Sequence, residues 1–135
     1  MELLFVYGTL LSSINHPVGE NLRLTACYRD KGWAYGKLYD IGEYPGFVPQ
    51  AEKGLTVVGE VYDLRLCPDL WAALDAYEGV GESDMETAEY SRQKISVVTI
   101  KGTLTCWTYV YQETVEHLSP IRDGDYLAYF LAKNQ

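Results

Sequence analysis

Leu3-Leu4-Phe5-Val6-Tyr7 is a continuous apolar run that stops at Gly8. A run this short, apolar at every position, suits a central strand covered on both faces better than a surface element with one wet side. Turn signals recur at short intervals along the rest of the chain, and most runs between them are rich in β-branched and aromatic residues. Trp33 to Tyr39 and Val57 to Leu64 read as strands, the second with an internal Gly59 that marks a bulge or tight bend. Ile95 to Ile100, Lys101-Gly102, then Thr103 to Tyr111 reads as a β-hairpin whose second strand puts Trp107, Tyr109 and Tyr111 on one face. Ser12 to Asn21, with Pro17 and Gly19, reads as a loop, and Tyr44-Pro45-Gly46 as a turn. Leu22 to Cys27 fits a short helix or a strand equally.

One helix stands out. Pro68-Asp69 opens it, Gly79 closes it, and Leu70, Trp71, Leu74 and Tyr77 form its apolar stripe. Asp125 to Lys133 could be a second helix or a tail strand. The sum is an α+β domain dominated by a sheet whose strands could close into a barrel. The 135 residues suit one domain, residues 1–135.

Charge removes several function classes. Asp plus Glu total 19 against 11 Lys plus Arg, a formal net charge of -8, and no basic stripe is present. Such a surface is poorly suited to nucleic acid or anionic membranes. The acid-rich stretch Glu82 to Glu89 reads as a solvated loop. No apolar run approaches the roughly 18 residues of a membrane span, and Met1 to Gly8 lacks the basic start of a signal peptide. The three cysteines, Cys27, Cys67 and Cys106, are widely spaced and read as reduced, buried thiols of a cytoplasmic protein. His16 and His117 read as loop residues without zinc spacing, and no phosphate-binding or serine-nucleophile motif is present.

Glu78 breaks two local preferences at once. Seven residues after Trp71, it projects within about 20° of the Trp71 direction, on the apolar side of the helix. It also stands in the last turn, where the helix dipole disfavours a carboxylate. Both effects raise a carboxylate pKa toward that of a general base near neutrality. A frayed end turned to solvent explains the same pattern, and the pattern alone favours it. The N–H groups leaving the strand at Gly8, Thr9 and Leu10 could bind a carboxylate or a developing oxyanion, or simply belong to a strand-to-loop turn. Tyr44-Pro45-Gly46 could be a rigid pocket wall or a plain turn. Tyr90 and Arg92 face the same side of a strand, and Arg92 could clamp a carboxylate or pair with an acidic loop residue.

Taken together, Val6-Tyr7-Gly8-Thr9-Leu10, Tyr44-Pro45-Gly46, Gly59-Glu60-Val61-Tyr62, Leu74-Asp75-Ala76-Tyr77-Glu78-Gly79 and Tyr90-Ser91-Arg92 occur in the order and approximate spacing of the γ-glutamylcyclotransferase-like family. The chain most resembles its γ-glutamylamine cyclotransferase, or AIG2-like, branch, from residue 3 to about residue 111. The resemblance implies a small mixed β-barrel with short flanking helices. It implies a pocket where Tyr7-Gly8-Thr9-Leu10 holds a γ-glutamyl group, and Glu78 as the catalytic acid/base, with Tyr44, Tyr90 and Arg92 as further substrate contacts. The implied reaction cyclises the γ-glutamyl group to 5-oxoproline and releases the attached amine. Its nucleophile belongs to the substrate, so neither a metal nor any other cofactor is expected. The expected partner is a small γ-glutamyl compound, the expected state a monomer, and the acidic surface favours a neutral or cationic leaving amine. Two other classes remain open: a non-catalytic binding module on the same scaffold, and an interaction protein docking through Trp107, Tyr109 and Tyr111, a face more simply read as core.

Overall fold

β1 (Leu3–Val6) is buried along its whole length, as a run without a polar position requires. The structure is a computed structural model that describes residues 2–8, 11, 17–41, 45–50, 55–78, 90–121 and 124–133, and of Val18, Tyr77 and Glu78 the backbone alone. After β1 the elements are α1 (Pro17–Thr25), β2 (Cys27–Asp40), β3 (Pro45–Pro49), β4 (Thr56–Asp63), α2 (Leu70–Glu78), β5 (Tyr90–Thr99), β6 (Gly102–Tyr111), β7 (Ser119–Pro120) and α3 (Tyr126–Lys133).

Five strands close a mixed barrel in the order β2-β4-β1-β6-β5, and the Trp33↔Val98 pair returns β5 to β2. β1 runs antiparallel to β4 and parallel to β6. The parallel ladder is short, and two side chains reinforce it: the Thr108 hydroxyl donates to the Phe5 carbonyl at 2.9 Å, and the Tyr7 hydroxyl to the Tyr109 carbonyl at 2.6 Å. The far half of β2 extends past the ring and pairs with β3 and β7. The barrel and its short helices match the fold expected from the sequence.

Inside the ring Phe5, Val61 and Val97 meet where Gly32 leaves room between them. Gly59 is a matter of space too. A Cβ there would stand 2.2 Å from the Val6 carbonyl oxygen and 2.7 Å from the Phe5 ring. The expected bulge is elsewhere: the register shifts in β2 between Tyr28 and Asp30, opposite Tyr62 and Val61. That shift leaves Arg29 as the extra residue, and its guanidinium reaches Asp63 at 3.4 Å.

Other local expectations divide. The hairpin is β5–β6, paired from Tyr90↔Tyr111 to Thr99↔Gly102, longer than the sequence suggested. The helix after Pro68 is α2, and the stretch after Asp125 is helical as α3, with the Asp125 carboxylate before it accepting from the Ala128 N–H at 3.1 Å. Leu22 to Cys27 is both things, the end of α1 and the start of β2. The loop expected up to Asn21 is corrected. Pro17 opens α1 from the first helical position, where its missing N–H costs nothing, and Leu22 is fully buried. Pro45-Gly46 is not a turn: the two residues start β3, paired with Asp40 and Tyr39. Cys106 is buried, and burial pushes its thiol up to about 11, whereas Cys67 is half-buried and Cys27 is exposed, against expectation. All three are free thiols.

At the barrel end opposite Tyr7, the buried Asp63 carboxylate accepts from the Arg65 N–H at 2.9 Å and from its guanidinium at 2.9 and 3.1 Å. Burial alone would raise its pKa, but these bonds and the charges of Arg65 and Arg29 outweigh burial and hold it below the ordinary value. A carboxyl with a depressed folded value contributes stability above its unfolded pKa of about 4 and loses it as pH falls through the folded one. Asp63→Asn is therefore expected to cost about 1–2 kcal/mol near neutral pH, both arginines being partly solvated. Urea unfolding across a pH series should show the gap from wild type closing in acid. A gap that stays constant with pH would count against this account.

Candidate active site at the barrel mouth

Where β1 ends, the chain has two tasks in adjacent residues. Tyr7 is buried, its ring 5.3 Å from that of Phe47 and 6.4 Å from that of Phe5, and its hydroxyl is spent on the Tyr109 carbonyl. Gly8 then passes against β3. A Cβ on Gly8 would stand 2.6 Å from the Pro45 Cγ and 2.9 Å from its Cδ, so only glycine fits. The Leu11 N–H donates to the Gly8 carbonyl at 3.0 Å, and Leu11 is buried.

Pro45 is held from the other side. Tyr90, buried at the start of β5, donates its hydroxyl to the Pro45 carbonyl at 2.8 Å. The Tyr90 ring meets that of Tyr111 edge-on at 5.5 Å, and a Cβ on Gly46 would stand 2.9 Å from the Tyr111 ring. The exit of β1, the start of β3 and the open ends of β5 and β6 thus converge at one end of the barrel. Tyr7, Gly8, Pro45, Gly46 and Tyr90, scattered in sequence, come together there. Thr9, Leu10 and Tyr44 lie outside the described residues, and Glu78 is placed by its backbone alone as the last residue of α2.

Arg92 reaches toward α2. Its Nε stands 3.3 Å from the Asp75 carboxylate of α2, and its guanidinium lies 4.5 Å from the Trp71 ring and 5.1 Å from that of Trp107. The same Asp75 oxygen accepts the Tyr109 hydroxyl at 2.7 Å. The described partner of Arg92 is therefore an acid on the helix; the acidic stretch Glu82 to Glu89 lies outside the described residues. Trp71 and Asp75 are four residues apart, one above the other on a helix face, so one cation touches two successive turns of α2. Sequence reasoning missed Asp75 and Tyr109. The signal was the hairpin register, which sets Arg92 opposite Tyr109. The Trp107-Tyr109-Tyr111 face is largely covered: Tyr109 is buried and the other two are half-buried.

Among the described residues no group of three or more His, Cys, Asp and Glu side chains is placed to hold a metal ion, and no helix is long and apolar enough to cross a membrane.

Comparison with known proteins agrees over most of the chain. The family described as "Gamma-glutamyl cyclotransferase, AIG2-like" matches residues 4–128. The gamma-glutamylcyclotransferase family protein YtfP of Escherichia coli K12 is 36% identical over 126 residues, covering 92% of this chain and 95% of its own. The solution structure of E. coli ytfP superposes with a TM-score of 0.63 at 34% identity over 95% of this chain and 98% of that one. An AIG2-like protein from Mus musculus shares the fold, with a TM-score of 0.71 at 22% identity over 93% of this chain and 88% of that one.

The Gly8–Pro45 contact carries its own test. Gly8→Ala is expected to destabilise by about 1–3 kcal/mol through overpacking. Pro45→Ala removes the Cγ and Cδ that the new methyl would strike, so the double variant should recover much of that loss. A double-mutant cycle should give a coupling of about 1 kcal/mol or more. Additive effects would mean that the two residues do not bear on each other.

Proposed function

The chain belongs to the gamma-glutamyl cyclotransferase, AIG2-like family, and from that premise we propose that it cyclises the γ-glutamyl group of a γ-glutamyl amine or peptide to 5-oxoproline and frees the amine. What carries the reading is the family match over residues 4–128, which takes in both the Tyr7-Gly8-Thr9-Leu10 motif and the helix end at Glu78. The reading is supported by the close packing of Tyr7 on Phe47 and of Gly8 on Pro45 at the exit of β1.

In this reaction the substrate's α-nitrogen attacks its own γ-carbonyl carbon. A C–N bond of the five-membered lactam forms, and the C–N bond to the leaving amine breaks. The α-ammonium loses two protons on becoming the lactam N–H, and the leaving nitrogen gains two on departing as an ammonium, so no outside reagent is needed. Glu78 is the base that takes a proton from the attacking nitrogen and the acid that returns one to the leaving nitrogen. Backbone N–H groups from Gly8 to Leu10 hold the substrate carboxylate or the developing oxyanion. Tyr90 stands at the same wall, and Tyr44, beside Pro45 in sequence, is a further substrate contact in this reading. Arg92 has donors beyond the Nε spent on Asp75 and is the cation nearest in chemistry to what a carboxylate substrate needs. The free thiols fit action in the cytoplasm.

The test is a mass-spectrometric assay for 5-oxoproline from a panel of γ-glutamyl amines and dipeptides. Wild type is expected to release it, and Glu78→Gln to stay folded and lose ~10²–10⁴-fold in kcat. An active Glu78→Gln would remove that role, and no release from any member by folded wild type would count against the reaction. The net charge of -8 further predicts a higher kcat/KM for cationic or neutral leaving amines than for acidic ones, with a gap that narrows as salt is added.

A further inference from the structure

Tyr109 is bonded twice, in two directions. Its hydroxyl donates to Asp75 of α2 at 2.7 Å, and its carbonyl accepts the Tyr7 hydroxyl at 2.6 Å. The first bond leads to the helix that ends at Glu78, and the second to the residue before Gly8. The two parts of the proposed site are separated by some seventy residues of sequence, yet both are referenced to one residue of β6.

α2 has 9 residues, too short to hold a conformation by its own hydrogen bonds. Its apolar side is seated by Leu70, Trp71 and Leu74, all buried. Apolar packing fixes that the helix lies on the barrel, but it is non-directional and sets rotation about the helix axis less firmly. Asp75 supplies the direction. It takes the Tyr109 hydroxyl and the Arg92 Nε on one oxygen, while Arg92 is stacked on Trp71 one turn earlier. Position 78 is three residues on, on a neighbouring strip of the helix surface, so a rotation fixed at Asp75 is fixed there too.

Resting on the functional reading above, we infer that Asp75, held by Arg92 and Tyr109, is a positioning residue that sets the C-terminal turn of α2 against the Gly8 end of β1 and so aims Glu78. Asp75 itself touches no substrate. Its substitution should then act on kcat rather than on substrate affinity, because a small misplacement of a catalytic group lowers the rate while leaving the binding wall intact.

The experiment uses the full chain with Asp75→Ala and Tyr109→Phe, and Lys94→Ala as a control that removes the other cation on Trp107. Tyr109→Phe keeps the carbonyl that Tyr7 uses and removes the hydroxyl bond to Asp75. Two readouts are taken. In hydrogen–deuterium exchange, Asp75→Ala and Tyr109→Phe are expected to lower protection of the amides from Leu74 to Glu78 at least tenfold while β5–β6 amides keep theirs. In the 5-oxoproline assay both are expected to lower kcat by 10- to 100-fold with KM changed less than threefold, and Asp75→Asn, which still accepts from Tyr109, to recover part of both losses. Lys94→Ala should change neither. Unchanged α2 protection in either variant overturns the proposal whether or not the protein turns over. So does lost protection with unchanged kcat, or a loss expressed mainly in KM. If wild type releases no 5-oxoproline, the functional reading fails by itself, and the exchange readout alone decides whether Asp75 sets the helix.

Discussion

A closed ring of five strands has room inside for few side chains, and the position of everything else in this protein follows from how that space is shared. Phe5 takes the centre because Gly32 and Gly59 leave it vacant, and Val61 and Val97 fill what remains. Gly59 also lets the Val6 carbonyl approach β4 more closely than any side chain would permit. β1 is thereby held by β4 along its whole length and by β6 through a short parallel ladder at Leu4. Its exit, Tyr7 to Gly8, leaves the barrel from a fixed point, which is what a backbone anion site requires, since N–H groups preorganise charge only where the chain does not move.

How much of this could be read from residues alone depended on the range of the interaction. The β5–β6 hairpin is local, and Lys101-Gly102 announces it. α2 carries its start and stop signals directly beside it in the sequence, from Pro68 to Gly79. Where Pro and Gly occurred without such a context they misled. Pro17 and Gly19 suggested a loop and belong to α1, and Pro45-Gly46 suggested a turn and starts β3. In each case the deciding contact comes from far along the chain: the buried seat of Leu22 for α1, and the Tyr90 hydroxyl and Tyr111 ring for β3. Gly59 was recognisable as special, but its reason was steric and lay with Phe5, more than fifty residues earlier. Of the candidate site, the Gly8 motif could be singled out by its place at the end of a buried strand, and Glu78 because it breaks two local preferences. Asp75 was not, because a carboxylate on a helix flank is ordinary until Arg92 and Tyr109 are beside it.

That placement bears on why a carboxylate can stand at the end of α2 at all. The C-terminal turn of a helix repels negative charge, and α2 has no basic residue in its last turn to offset this. Asp75, in that last turn, is met from outside the helix: the Arg92 Nε of β5 stands 3.3 Å from it, and the guanidinium lies 4.5 and 5.1 Å from the Trp71 and Trp107 rings.

Arg92 can then serve two ends without contradiction. A guanidinium has five N–H donors in a planar fork, and the contact with Asp75 uses the Nε edge. A substrate carboxylate would need the terminal nitrogens. The guanidinium lies 4.5 Å from the Trp71 ring and 5.1 Å from that of Trp107, so the contacts that hold it beside α2 also restrict where those nitrogens can go. A lysine here would lose both properties, since an ammonium has no plane to stack and no second edge to offer. In the proposed reading, anchoring the helix and presenting a cation are one arrangement seen from two sides, and a substitution that spares the charge but not the fork would disturb both.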